Sequence, residues 1–365
     1  MDKNRQSIRR KRGHAVTIDE VAKLANVSPM TVSRVVNGHG KVRESTRERV
    51  MHAVQELGYA PNLAARALAA ASGTRIALIY TNPSAAFLSE LLVGALRGAA
   101  RTAAQLVVDA WDEHDVNAER EAARTLARSV AGVILPPPLC ESEVVISELI
   151  DAGVVVVALA SGGAGDAGGF SEKMSHVRID DFRASKDITT HLIEQGHTRI
   201  GYIKGHPTHA GSALRLQGFH AALSKAAIAP DESLIEQGYF TYRSGLEAAE
   251  KLLSHPNPPT AIFASNDDMA AAVISVAHRR GLDVPRDLSV VGFDDTSAAT
   301  TVWPELTTIR QPVASMADSA IDILLRGIRR KDKSTRVVVD HVVAHQLCRR
   351  DSVAPPAPAK GARGD

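Results

Sequence analysis

Between Arg75 and Phe293, short and wholly apolar runs alternate with helical stretches, and the alternation occurs twice. Ile76–Tyr80, Leu106–Asp109, Gly132–Leu135 and Val154–Leu159 read as strands, separated by helices near 86–104, 117–129 and 141–151. After Asp180 the pattern restarts. Arg199–Ile203, Leu234–Gln237, Ala261–Ala264 and Ser289–Phe293 are its strands, with helices near 184–195, 213–226, 243–254 and 268–280. Strands apolar on both faces belong in a parallel sheet covered by helices on each side. Two successive α/β halves predict two lobes with a cleft between them, and in such sheets ligands sit beyond the carboxyl ends of the strands. Residues 305–328 lead back toward the first lobe, and Val337–Val343 adds a strand.

The first 72 residues have a different period. VTIDEVAKLANVSPMTVSRVVN, residues 16–37, reads as two short helices and a tight turn. Thr17 and Glu20 form a capping box, and Ile18, Val21, Ala22 and Ala25 then share one face. Asn26 and Val27 make the turn. Ser28 caps the second helix, and Pro29 sits in its first turn, where a missing N–H costs nothing. Val32, Val35 and Val36 point inward, which leaves Met30, Thr31, Ser33 and Arg34 outward. That small, polar, cationic set suits a helix entering a DNA major groove, although an ordinary helical hairpin with a solvated face shows the same pattern. A third helix, capped by Ser45 with Glu48 closing a second box, buries Val50, Ala53, Val54 and Leu57 and ends at Gly58. Beyond it Asn62 caps one more short stretch that exposes Leu63, Arg66 and Leu68. This stretch has too few apolar contacts to fold alone; as a plain linker it is poor in Gly and Ser.

Charge divides the chain at the same place. Residues 1–72 hold thirteen Lys/Arg against six Asp/Glu, a net of +7, and the remainder is −5. A basic head on an acidic body predicts a polyanionic partner for the head alone. No apolar run approaches the ~20 residues that span a bilayer, so no membrane partner is expected. The basic N-terminus has no apolar segment behind it, which predicts a cytoplasmic protein. Cys140 and Cys348 lack metal or redox spacing, and His206 and His209 read as loop residues rather than zinc ligands. Gly163–Gly168 formally matches GxGxxG, but no helix opens behind it to seat a phosphate. No nucleophile elbow or other catalytic cluster is present. The expectation is a non-enzyme with no catalytic residue, no metal and no cofactor.

From residue 16 to 69, ValThrIleAspGluValAlaLysLeuAlaAsnValSer, ThrValSerArgValValAsn, GluLeuGlyTyrAlaProAsn and AlaArgAlaLeu resemble the DNA-binding head of the lactose-repressor (LacI/GalR) family, and the resemblance continues through the body to about 350. It implies an N-terminal all-α helix-turn-helix domain followed by an α/β two-lobed effector domain like the periplasmic sugar-binding proteins. The implied divisions are a disordered basic arm at 1–15, the helix-turn-helix domain at 16–60, a hinge segment at 61–73, the lobes at 74–350 and a disordered tail at 351–365. In that family the second helix lies in the major groove. Pro29, Met30 and Arg34 would then read bases and Thr31 and Ser33 touch phosphates, with Thr17, Asn37, Asn62 and Arg66 as further DNA contacts. Leu68 would wedge into the minor groove at the central base step.

Phe87, Arg215, Phe240, Asn266 and Asp294 could converge on one cleft around an effector, and the resemblance implies that Arg215, Phe240, Asn266 and Asp294 line the effector pocket. Each lies at or just after a strand end, and together they offer donors, acceptors and a ring face suited to a sugar. Singly, Asn and Asp at such positions serve as turn or cap residues just as readily. Leu159 stands where some members carry an acidic ligand. Purine-responsive members have glycine at the position of Asn266 and arginine at that of His209, so a sugar is favoured over a nucleobase, which stays the alternative. The chain ends without a leucine heptad. A homodimer on pseudo-palindromic operator DNA is therefore the simplest assembly.

Overall fold

The computed structural model describes residues 16–36, 43–57, 59, 74–81, 84–111, 115–162, 172–330 and 337–357, apart from the side chains of residues 33, 34 and 36. The chain forms two compact units, Met1–Ser72 and Gly73–Asp365.

In the first unit α1 (Ile18–Ala25), α2 (Pro29–Val36) and α3 (Glu44–Leu57) enclose a small core. Each helix gives it one wholly buried valine: Val21, Val32 and Val50. The Thr17–Glu20 capping box is formed in both directions, with the Thr17 N–H donating to Glu20 Oε2 at 2.7 Å and the Glu20 N–H to Thr17 Oγ1 at 3.4 Å. Asn26 closes α1 at φ 52°, a left-handed conformation that Asn tolerates better than most residues. Ser28 accepts the Thr31 N–H at 3.2 Å, as its place before Pro29 predicts. Ser45, by contrast, does not cap α3. The helix starts at Glu44, and the Thr46 and Arg47 N–H groups go to the Arg43 carbonyl, which places Ser45 inside the first turn.

In the second unit β1 (Arg75–Tyr80), α4 (Ala85–Thr102), β2 (Gln105–Ala110), α5 (Val116–Ala127), β3 (Gly132–Leu135), α6 (Glu143–Asp151), β4 (Val155–Leu159) and β5 (Ser175–Arg178) build one lobe. The other comprises α7 (Asp181–Glu194), β6 (Ile200–Lys204), α8 (Ala210–Lys225), β7 (Ile235–Gln237), α9 (Tyr242–Leu253), β8 (Ala261–Ala264), α10 (Asp267–Arg279), β9 (Ser289–Val291) and α11 (Ala298–Thr301). The chain then passes through β10 (Thr308–Arg310) back to the first lobe as α12 (Val313–Arg329) and β11 (Asp340–Val342). It returns as β12 (Gln346–Cys348), antiparallel to β10. The sheets run β11-β5-β4-β3-β1-β2 and β7-β6-β8-β9, with parallel pairings throughout. Every residue of β3 and of β8 is buried, as strands covered on both faces require. One apolar cluster runs from Leu78 and Leu91 in the first lobe to Phe219 and Phe263 in the second, so the lobes share part of their core.

Helices α4 and α12 approach closely because Gly94 has no side chain. A Cβ there would lie 2.0 Å from the Ala314 carbonyl oxygen, a backbone atom that no rotamer change can move. Gly94→Ala should therefore destabilise the second unit by about 1–3 kcal/mol despite alanine's better helix propensity. Denaturant unfolding monitored by circular dichroism reads this, and an unchanged or raised midpoint would refute the close packing.

Two expectations need correction. Residues 351–357, predicted disordered, are ordered along the outer edge of β9. Val290 donates to the Ser352 carbonyl at 2.9 Å, Ser352 Oγ donates back to the Val290 carbonyl at 2.6 Å, and the Ala354 N–H reaches Ser289 Oγ at 3.1 Å. An edge strand's bare backbone groups need partners, and this Pro-rich segment supplies them. Residues 358–365 lie outside the described residues. The helix predicted from Glu141 begins instead at Glu143, capped by Ser142, and Leu139–Glu141 forms a separate 3-10 turn. Glu141 is thereby released from the helix.

Candidate functional site

The DNA-facing expectations fall on α2 and its neighbours. Pro29 and Met30 are exposed, Met30 at 65%, opposite the buried Val32 and Val35. Thr31 is half-buried, and its Oγ1 shares a 2.9 Å hydrogen bond with Ser28. The Thr17 hydroxyl is held by Glu20 at 3.1 Å. Ser33 and Arg34 are helical by backbone, with side chains outside the described part. Asn37, Asn62, Arg66 and Leu68 lie outside the described residues, as do the basic arm and the Gly163–Gly168 loop.

The effector expectations meet in one place. Phe87, Arg215, Phe240, Asn266 and Asp294 all line a single cavity between the lobes of the second unit. Its volume is about 40 Å³. Helix α4 brings Phe87, α8 brings Arg215, and the strand ends before α9, α10 and α11 bring the other three. The backbone is strained here. Ala160 (φ 57°), Phe240 (φ 59°) and Asp294 (φ 110°) all line the cavity in the region that L-residues avoid, a pattern concentrated at functional sites. Gly205 makes the room for Phe240, since a Cβ on it would lie 2.0 Å from the ring.

Arg215 is buried and paired. Its Nε donates to Asp181 Oδ1 at 2.7 Å and its Nη1 to the Ser265 carbonyl at 2.6 Å, while Asp294 Oδ1 lies 3.9 Å away. The guanidinium carbon sits 3.6 Å from the centre of the Phe293 ring. Burial works against the Arg215 charge, but Asp181 and Asp294 hold it protonated. Burial likewise pushes Asp181 and Asp294 above the usual carboxylate range, with Arg215 pulling each back. Asn266 has a double role. It lines the cavity, and its amide caps α10 through the Met269 N–H and donates to the Phe240 carbonyl, both at 3.0 Å.

Sequence reasoning missed three contributors. His209, read as a loop residue, is the buried N-cap position of α8, stacks 5.4 Å from the Phe240 ring centre and lines the cavity. Burial, then His206 and Arg215, push its pKa down to about 3, so the ring is neutral. Gln311 follows β10 and lines the cavity too; its strand-end position was the available signal. Glu141 reaches across from the first lobe, and the Ala210 N–H at the start of α8 donates to both its carboxylate oxygens at 3.0 Å. A second interlobe bond, from Ser84 Oγ to Asp268 Oδ2, measures 2.8 Å.

Comparison with known proteins gives two family matches: bacterial regulatory proteins of the lacI family over residues 17–62, and a periplasmic binding protein-like domain over residues 189–353. Catabolite control protein A of Priestia megaterium is 35% identical over 88% of this chain and 96% of its own length. The transcriptional repressor PurR of Aliivibrio salmonicida is 33% identical over 89% and 96%. Among solved structures, the cellobiose complex of the transcriptional regulator CelR superposes with a TM-score of 0.68 at 31% identity, covering 92% of this chain and 99% of that one. The lac repressor dimer bound to operator and the anti-inducer ONPF gives 0.69 at 28% identity, covering 93% and 100%.

Proposed function

The chain belongs to the lacI family of bacterial regulatory proteins, and from that we propose that it is a repressor whose hold on operator DNA is set by a small carbohydrate bound between its lobes. As a transcriptional regulator it works by binding DNA and an effector, and no catalytic step is assigned to it. The observation that carries the carbohydrate reading is the interlobe cavity. Buried Arg, Asp and Asn groups meet the flat ring of Phe240 there, and such a mixture fits a polyhydroxylated ring. The CelR structure with cellobiose is a neighbour of this chain, and PurR relatives keep a nucleobase effector as the alternative.

In this reading the effector prefers one arrangement of the lobes, and the change is passed to the hinge segment at 61–73, releasing the operator; an effector that bound both arrangements equally would shift nothing. The protein acts as a homodimer on a pseudo-palindrome, with the exposed Val93 and Leu96 of α4 beside the edge strand β2 as an apolar face for the second copy. No helix among the described residues is long and apolar enough to cross a membrane, and the site of action is the cytoplasm.

A thermal-shift screen against sugars, polyols and nucleobases tests the effector class. A ligand at 100 times its Kd should stabilise the protein by about 2.7 kcal/mol. Response to purines alone would replace the carbohydrate reading. On the DNA side, Arg34→Ala should cost about 1–3 kcal/mol of operator binding and relax preference at one base pair per half-site. Uniform weakening on all sequences would make Arg34 a phosphate contact. Leu68→Ala should sharply weaken operator binding in a fluorescence-anisotropy titration with little change in effector affinity; an unaltered operator affinity would sink the wedge role.

A further inference from the structure

A regulator of this kind could respond to a free sugar or to a charged derivative, a sugar phosphate or sugar acid. The cleft distinguishes them. We propose that the effector is an uncharged polyol, that His209 and Gln311 read its hydroxyl groups, and that Glu141 excludes anionic derivatives. The proposal rests on the carbohydrate reading above and narrows it.

The usual seat for a phosphate or carboxylate in such a cleft is the start of a helix, where free N–H groups and the helix dipole favour negative charge. Helix α8 is sixteen residues long and opens on the cleft, but His209 gives it no side-chain cap. The Ala210 N–H is instead taken by both oxygens of Glu141 from the opposite lobe. The protein's own carboxylate stands where a ligand anion would sit. Nor is there cationic charge to spare nearby. Arg215 is bound to Asp181 and to the Ser265 carbonyl, with Asp294 close on another side. One buried cation between two buried carboxylates leaves an anion nothing uncompensated to meet, and the interior magnifies the repulsion.

The buried polar atoms that lack a partner at the cleft are neutral. Among the described residues, His209 Nε2 and Gln311 Oε1 are buried and lack a hydrogen-bond partner; His209 is 6% exposed and Gln311 4%. The Gln311 Nε2 donates to Asp294 Oδ1 at 3.3 Å, so Oε1 is an acceptor that needs a donor. His209 is an uncharged imidazole, and its nitrogen takes or gives one hydrogen bond. A hydroxyl group answers both needs because it donates and accepts. An ionised phosphate or carboxylate only accepts, so Gln311 Oε1 stays unmatched if that group rather than a hydroxyl faces it, and the selection against charged sugars falls to Glu141 and the compensated Arg215. Unpaired buried polar atoms are rare and costly, and two lining one interlobe cavity mark the positions a ligand completes.

Two experiments on the full-length chain test this. In the first, isothermal titration at pH 7 compares glucose, galactose, ribose and cellobiose with the phosphate and aldonate counterparts of the same sugars. The neutral member that binds should do so at least about 100-fold tighter than its charged counterparts, and Glu141→Gln should reduce that ratio by about tenfold. A charged counterpart that binds as tightly as the neutral sugar overturns the proposal while leaving the carbohydrate reading intact. Binding of nucleobases and of no sugar overturns both. The second needs no knowledge of the effector. Inorganic phosphate should leave the wild-type melting temperature unchanged and raise that of Glu141→Ala, where the α8 start is uncovered. Equal responses of the two proteins to phosphate would overturn the role of Glu141.

Discussion

Arg215→Ala should abolish effector binding and destabilise the second unit by about 3–5 kcal/mol, the cost of breaking a buried ion pair from one side. The residue is 7% exposed and is the counter-charge of both Asp181 and Asp294. Removing it also strips the Ser265 carbonyl of a 2.6 Å hydrogen bond. The loss should depend on pH in a definite direction. Burial already holds Asp181 and Asp294 above the usual carboxylate range, and without Arg215 both rise further. The folded variant then binds more protons than its unfolded chain, so its stability falls as pH rises through the interval between the ordinary carboxylate pKa and the raised one. Urea unfolding at pH 5.5 and pH 8 should therefore show a larger deficit at pH 8. Asp181→Asn added to Arg215→Ala should recover part of it. A deficit under about 1 kcal/mol, equal at both pH values, would mean that the pair contributes little.

Asp267→Ala should cost about 3 kcal/mol or more, since it leaves several buried donors without an acceptor. Asp267 is 1% exposed. It accepts from the Thr296 N–H at 2.7 Å, from Thr296 Oγ1 at 3.2 Å and from Thr308 Oγ1 at 2.6 Å. It thus pins the loop after β9, which carries Asp294, against β10, and the interlobe cavity should loosen along with the fold. Burial pushes its pKa up to about 7 from 3.8, with Thr308 and Thr296 pulling the other way. Because the folded value lies above the unfolded one, this group's contribution is full below about pH 4 and is lost as pH climbs to 7. Asp267→Asn should flatten the melting temperature across that window. A pH profile identical to wild type would place the titration elsewhere.

The parts of this chain that were legible in its sequence are those governed by local period and local hydrogen bonds. The short lengths of Ile76–Tyr80 and Ala261–Ala264, set between helical stretches, mark them as covered strands, and Thr17 with Glu20 announces a helix start in four residues. Phe87, Arg215, Phe240, Asn266 and Asp294 could be gathered in advance because strand order in a parallel sheet sends the strand ends to one rim. What stayed hidden depends on contacts between distant parts of the chain. Glu141 sits 69 positions from the N–H it covers. Nothing near His209 says that its ring is buried against Phe240. The segment 351–357 has the composition of a disordered tail, and only the unpaired edge of β9 gives it a place. Ser45 is a good cap by type, but the Arg43 carbonyl had already started the helix.

The interlobe cavity bears on timing. The Ser84–Asp268 and Glu141–Ala210 bonds hold the lobes together beside it, and separating the lobes to admit a ligand requires both to break. At high concentrations of the proposed carbohydrate effector the observed association rate should therefore stop rising and settle at the opening rate of the protein, far below the diffusion limit. How quickly a regulator built this way responds to a sudden supply of its effector would then be set by the frequency of that opening rather than by the amount of effector.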